Sequence, residues 1–162
     1  MKLNRILVPL DGSVLAESAL DPAVELARPS GATMLLVRTA EATIFPGADL
    51  VEAQVDVVRE AEAYLAGVAD RLRREGLNAE PSVWYGPAAA GIVEAARRRS
   101  ADLIVMSTHG RSGLGRLILG SVAESVLRGT ATPILLLRAA EAPLAAVPGQ
   151  GAARPAREKL HD

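Results

Sequence analysis

Five short apolar runs punctuate this chain, and helical patterns fill the intervals between them. The runs are Ile6-Leu7-Val8, Met34-Leu35-Leu36-Val37, a weaker Ser82-Val83-Trp84-Tyr85 after Pro81, Leu103-Ile104-Val105-Met106 and Ile134-Leu135-Leu136-Leu137. A strand with one wet face alternates apolar and polar residues, whereas a continuous run belongs in a parallel sheet covered on both sides. Ala16, Ala19, Leu20, Ala23, Leu26 and Ala27 recur at helical spacing, with Pro22 in conflict with an unbroken helix. Val58, Ala61, Leu65, Val68 and Leu72 form a second stripe, stopped by Gly76. Ile92, Val93 and Ala96 mark a third helix, opened by Pro87 and ending in Arg97-Arg98-Arg99, where cations suit the helix dipole. Val122, Val126 and Leu127 belong to a fourth, stopped near Gly129 and Pro133. This alternation predicts a doubly wound α/β sandwich with right-handed crossovers and helices on both faces.

The 162 residues suffice for one domain with its own core, and aromatics at 2% make that core aliphatic. A net charge of −1 supplies no global field for nucleic acid or an anionic membrane, so neither is expected as a partner. The chain has no cysteine, which excludes disulfides, thiolate nucleophiles and cysteine-held metals. No apolar run approaches the ~20 residues of a membrane span. The N-terminal residues enter a strand without a signal-peptide core, so a cytoplasmic protein is expected. Residues 1–140 read as one domain, with a longer, mobile connection at 41–50. Residues 141–162, rich in Ala, Pro and Gly without periodicity, read as a disordered tail.

In open α/β sheets ligands bind beyond the carboxyl ends of the strands, where strand order reverses. The first strand ends in Pro9-Leu10-Asp11-Gly12-Ser13 and the fourth in Ser107-Thr108-His109-Gly110. If these corners are neighbours, Asp11 faces a glycine-studded turn across a crevice. A carboxylate there can accept hydrogen bonds from a ribose or help hold magnesium; the alternative is that Asp11 and Ser13 cap the first helix. Gly110, Gly113, Gly115 and Gly120, with Ser112, Ser121, Arg111 and Arg116, suit a loop that offers backbone N–H groups to a phosphate. Ordinary turn glycines are the alternative, and Ser121 stands where a helix N-cap belongs.

Two familiar motifs fail. The stretch from Gly115 to Gly120-Ser121-Val122 has P-loop glycine spacing but lacks the lysine, and Val122 replaces the Ser or Thr. Gly113-x-Gly115 lacks the third glycine of the dinucleotide fingerprint. His109 has no nucleophile–base–orienter set around it and is read as shaping its loop; His161 lies in the tail. No cluster of His and carboxylates has metal-ligand spacing, and Trp84 and Tyr85 are read as packing at a strand end.

Val8-Pro9-Leu10-Asp11-Gly12-Ser13, Met106-Ser107-Thr108-His109-Gly110-Arg111-Ser112-Gly113-Leu114, Leu119-Gly120-Ser121-Val122-Ala123-Glu124 and Thr132-Pro133-Ile134-Leu135-Leu136-Leu137 resemble the universal stress protein family, over residues 3–138. The resemblance implies a Rossmann-like five-stranded parallel sheet of order 3-2-1-4-5. It also implies a homodimer through the last strand, at Ile134, Leu135, Leu136 and Leu137; independently, that strand would be an exposed apolar edge. The ATP-binding subgroup has Gly-x-x-Gly, nine residues, then Gly-Ser or Gly-Thr; here this maps onto Ser107-x-x-Gly110, nine residues, then Gly120-Ser121. Ser107 thus departs from glycine. By the same carry-over, Pro9 lines the adenine side and Arg38 meets the adenine edge through its backbone, with Leu10, Met106, Ser107, His109 and Gly120 also among the nucleotide-binding residues. Asp11 is the family's aspartate, with an indirect magnesium contact. Gly110, Arg111 and the amides of Ser121, Val122 and Ala123 surround the phosphates. The resemblance therefore implies a dimeric stress-response protein that binds ATP or AMP, with magnesium as a possible companion and no fast turnover. A dimeric adaptor with a vestigial pocket, or a slow ATPase, are the alternatives.

Overall fold

The computed structural model describes residues 2–41, 50–108 and 120–138. Residues 42–49 of the expected connection, most of the glycine-rich turn, and the whole expected tail lie outside them. Among the described residues the elements run β1 (Arg5–Pro9), α1 (Val14–Glu17), α2 (Leu20–Ser30), β2 (Thr33–Ala40), α3 (Leu50–Arg74), β3 (Asn78–Tyr85), α4 (Ala88–Arg98), β4 (Leu103–Thr108), α5 (Ser121–Gly129) and β5 (Ile134–Arg138). All strand pairs are parallel, in the order β3-β2-β1-β4-β5. The fold is the doubly wound five-stranded sheet that the apolar runs and the family resemblance predict.

Strand alternation divides the core in two. Ile6, Val8, Met34, Leu36, Leu103 and Val105 face α2 and α3, packing on Leu20, Ala23, Ala27, Leu65 and Leu72. Leu7, Leu35, Val37, Ile104 and Met106 face α4 and α5, against Ile92, Ala95, Ala96, Ala123 and Val126. Most of these side chains are fully buried, each worth roughly 1.5–3 kcal/mol for the larger aliphatics. No helix among the described residues is long and apolar enough to cross a membrane.

Four details differ from the sequence reading, each for a local reason. The first helix is two, because Ser18 closes α1 and α2 restarts at Leu20. The break places Pro22 in the first turn of α2, where its missing N–H and its ring cost nothing. β3 starts at Asn78, four residues before its apolar part; as a sheet-edge strand it tolerates Pro81 and exposed polar residues. On α5 only Ala123 and Val126 are buried, while Val122 and Leu127 are exposed at 38% and 50%. The N-cap of α5 is Gly120, so Ser121 is its first helical residue.

At Gly91 α4 lies almost on the sheet: a Cβ there would stand 2.5 Å from Thr39 Cγ2 and 3.4 Å from Trp84 Cβ. Only a residue without a side chain lets the helix approach so closely.

Candidate functional site

β1 is the topological switch point, since β2 leaves on one side of it and β4 on the other. The Leu10 N–H donates to Val37 O at 2.8 Å, continuing the β1–β2 ladder past the end of β1. Alternate residues of a parallel strand bond to opposite neighbours. Pro9 therefore faces β4, and having no N–H it leaves a rung missing there. A cleft of about 260 Å³ opens where those two strands end.

Pro9, Leu10 and Asp11 line the cleft from β1, Met106 and Ser107 from β4, and Gly120, Ser121, Val122 and Ala123 from the start of α5. These are nine of the residues that the sequence singles out. His109, Gly110 and Arg111 lie outside the described residues. Arg38 does not line the cleft. Its neighbours Val37 and Thr39 do, because strand alternation turns the odd-numbered residues of β2 toward α4 and Arg38 toward α3. That alternation is visible in the sequence and is the signal that would have found Val37 and Thr39. Ala88 and Ile92 of α4, and Leu15 and Ala16 of α1, complete the apolar wall.

The turn after β1 is built by two short-range hydrogen bonds. The Ser13 N–H donates to Asp11 Oδ1 at 2.9 Å, and the Ala16 N–H donates to Ser13 Oγ at 3.1 Å. Ser13 is thus the N-cap of α1, and Asp11 closes an Asx turn before it. Gly12, at φ +87°, makes the bend. Partial burial pushes the Asp11 carboxyl up, but the Ser13 hydrogen bonds and the Arg38 charge outweigh it and hold it below its ordinary value. Asp11 is the one carboxylate among the described residues lining the cleft.

Across the cleft, the first amides of α5 have no partner inside their own helix; the first such bond joins the Glu124 N–H to Gly120 O at 2.9 Å. A helix N-terminus of this kind favours an anion. The cleft thus brings together the first turn of α5, the Asp11 carboxylate and a largely aliphatic lining. That set can seat a flat apolar base, a polyol and an anionic group. Among the described residues no group of three or more His, Asp or Glu is placed to hold a metal by itself.

Behind the turn runs a chain of polar contacts on the opposite face of the sheet. Arg38 pairs with Glu60 at 3.0 Å and lies over the Tyr64 ring, 5.2 Å from its centroid. The Tyr64 hydroxyl donates to Glu17 Oε1 at 2.9 Å, and Arg71 reaches Glu17 Oε2 at 3.4 Å. Burial and the bond to Glu17 raise the Tyr64 hydroxyl's pKa well above its usual value.

The sequence profile described as the universal stress protein family matches residues 2–138. A universal stress protein of Methanocaldococcus jannaschii is 30% identical over 140 residues, covering 83% of this chain and 82% of its own. A crystal structure of a universal stress protein family member from Burkholderia pseudomallei is 30% identical, with a TM-score of 0.68 over 85% of this chain and 98% of that one. A universal stress protein in complex with cAMP has a TM-score of 0.66 at 24% identity, covering 85% of this chain and 98% of its own. An Arabidopsis thaliana family protein with AMP bound has a TM-score of 0.61 at 15% identity, covering 83% and 91%.

Proposed function

This chain belongs to the universal stress protein family, and from that premise we propose that it binds an adenine nucleotide, ATP or AMP, in the cleft between β1 and β4. The observation that carries the reading is the position of Asp11 and the N-terminal turn of α5 on one cleft at the switch point. Proteins of the same fold hold cAMP in one case and AMP in another, which fits such a ligand. The cleft is near the lower end of small-molecule sites, which begin at about 300 Å³. Val37, Ile92 and Met106 offer the base an apolar seat, Asp11 accepts from the ribose hydroxyls, and the amides of Ser121, Val122 and Ala123 receive phosphate oxygens. His109, Gly110 and Arg111 join the phosphate end in the same proposal.

The residues fit magnesium only as a companion of the nucleotide. Asp11 would hold the hydrated ion together with the phosphates, and the ion would supply neutralisation of their charge. Asp11 is already committed to the Ser13 amide, which suits an orienting residue more than a base that must take a proton from water.

The protein acts in this reading as a homodimeric, stress-responsive regulatory module in the cytoplasm, with binding as its output and not turnover. β5 lies at the margin of the sheet with Ile134, Leu135, Leu136 and Leu137 half-buried, and pairing with a second β5 would cover them. The competing reading, an adaptor with a vestigial pocket, draws on Ser107 in place of glycine and on the charged Arg38 near the end of β2. Isothermal titration of about 50 μM protein with ATP and magnesium tests the choice: a saturable heat with a micromolar Kd is expected. No heat, together with no nucleotide carried through purification, overturns it.

A further inference from the structure

Arg38 does not touch the cleft, yet it stands against the turn that carries Asp11. A Cβ placed on Gly12 would lie 3.6 Å from Arg38 Nη1, so the guanidinium packs directly behind the bend. Its side chain is only 17% exposed, although it carries a full charge. A cation so enclosed needs partners, and it has three of different kinds: Glu60 at 3.0 Å, the Tyr64 ring face, and the negative field of Asp11. Two of these, Glu60 and Tyr64, are on α3. The same helix also grips α1, through Tyr64 and Arg71 on Glu17. The turn is therefore held at both of its ends by one helix: through Arg38 behind Gly12, and through Glu17 just after the cap at Ser13.

We propose that Arg38 is a positioning residue for ligand binding, through which α3 fixes the Asp11–Gly12–Ser13 turn from the face of the sheet opposite the cleft. The effect on ligand rests on the reading that the cleft binds an adenine nucleotide; the effect on the turn does not. A carboxylate on a bend built around glycine has many orientations open to it. A planar, stacked guanidinium behind the bend removes most of them before the ligand arrives, which is how preorganisation raises affinity. It also gives the ribose-facing carboxylate a nearby countercharge without placing a cation in the cleft, where it would compete for the phosphates.

The test compares Arg38→Met, which keeps the stem and removes the charge, with Arg38→Lys, which keeps the charge. The first reading is amide hydrogen exchange at Ser13 and Ala16, whose N–H groups donate within the turn, with no nucleotide added. The second is ATP affinity by titration. Arg38→Met is expected to speed exchange at Ser13 and Ala16 and to weaken ATP binding, each about tenfold, as for coupled members of one network. The Ala101 amide, bonded to Ala96 O at the far end of the sheet, serves as the control and should not change. Arg38→Lys keeps the charge but loses the planar stack on Tyr64, so it should recover only part of both effects, which a purely steric role for the stem would not predict. If Arg38→Met unsettles the whole domain, Glu60→Gln, at a side chain 71% exposed, carries the same readings with a smaller effect in the same direction. Unchanged exchange at Ser13 and Ala16, or faster exchange with unaltered ATP affinity, overturns the inference. A wild-type protein that binds no ATP overturns the proposed function instead, and the exchange comparison still decides whether Arg38 holds the turn.

Discussion

The hydroxyl oxygens of Ser18 and Ser107 stand 2.8 Å apart, joining the end of α1 to the tip of β4 across the back of the cleft. Ser18 Oγ also lies 2.6 Å from Leu15 O and has one proton to give. That proton goes to the carbonyl, so Ser107 is the donor and Ser18 the acceptor. The family's ATP-binding pattern has glycine where Ser107 stands, and here the extra hydroxyl is taken up within the protein. Ser107→Gly should therefore leave ATP affinity within about threefold of the wild type. Ser18→Ala and Ser107→Ala, combined in a double-mutant cycle of chemical unfolding, should show a coupling of about 1 kcal/mol. Additive losses would show that the pair contributes nothing.

Gly91→Ala sets two effects against each other. Removing glycine from a helix interior gains about 1 kcal/mol, but the new methyl meets Thr39 Cγ2 at 2.5 Å. Overpacking of that kind costs about 1–3 kcal/mol, so thermal unfolding should show a net loss. Thr39 also lines the cleft, and nucleotide affinity should fall with stability. Thr39→Ser removes the offending methyl and should restore the double variant; a Gly91→Ala protein as stable as the wild type would contradict the packing.

Asp102 predicts an acid-sensitive joint. Its carboxylate accepts from the Asn4 N–H at 2.8 Å and the Arg5 N–H at 2.9 Å, which holds its pKa below the ordinary 3.8. A carboxyl depressed on folding contributes stability above its unfolded pKa and loses it as pH falls through the folded one. Asp102→Asn should cost about 1 kcal/mol at pH 7. The gap to the wild type should close as the solution is taken well below pH 4, in denaturant melts at each pH. A gap independent of pH would mean that the charge plays no part.

Asp11→Asn keeps the shape of the turn residue and removes its charge. ATP affinity should drop about tenfold or more, the usual loss when a charged acceptor is neutralised. Unchanged affinity removes Asp11 from the binding surface.

Much of this architecture was legible because parallel strands advertise themselves. Three continuous apolar runs became β1, β2 and β4, buried on both faces. Of the two edge strands, β5 was as legible, since its apolar run became Ile134–Arg138, whereas β3 has a polar first half because solvent reaches it. Pro22 correctly signalled trouble, but a hydrophobic stripe runs on through the α1–α2 break and hides it, since Ala19 and Leu20 stay buried on either side. At the site, the corners of β1 and β4 were legible from strand order and motif. The motif points to Arg38 through its backbone, whereas the side chains of β2 that line the cleft are those of Val37 and Thr39, because alternation decides the face. Ser18 gave no sequence signal, because its partner lies 89 residues away.

The account rests on the corners of β1 and β4 forming one nucleotide seat, and amide chemical-shift mapping during an ATP titration tests that most directly. The largest shifts should fall on Asp11 and Ser13, on Val37 and Thr39, and on Ser107, Ser121, Val122 and Ala123, saturating with a single Kd. Shifts confined to the opposite end of the sheet, around Asn4, Asp102 and Gly76, or no shifts at millimolar ATP, would contradict it.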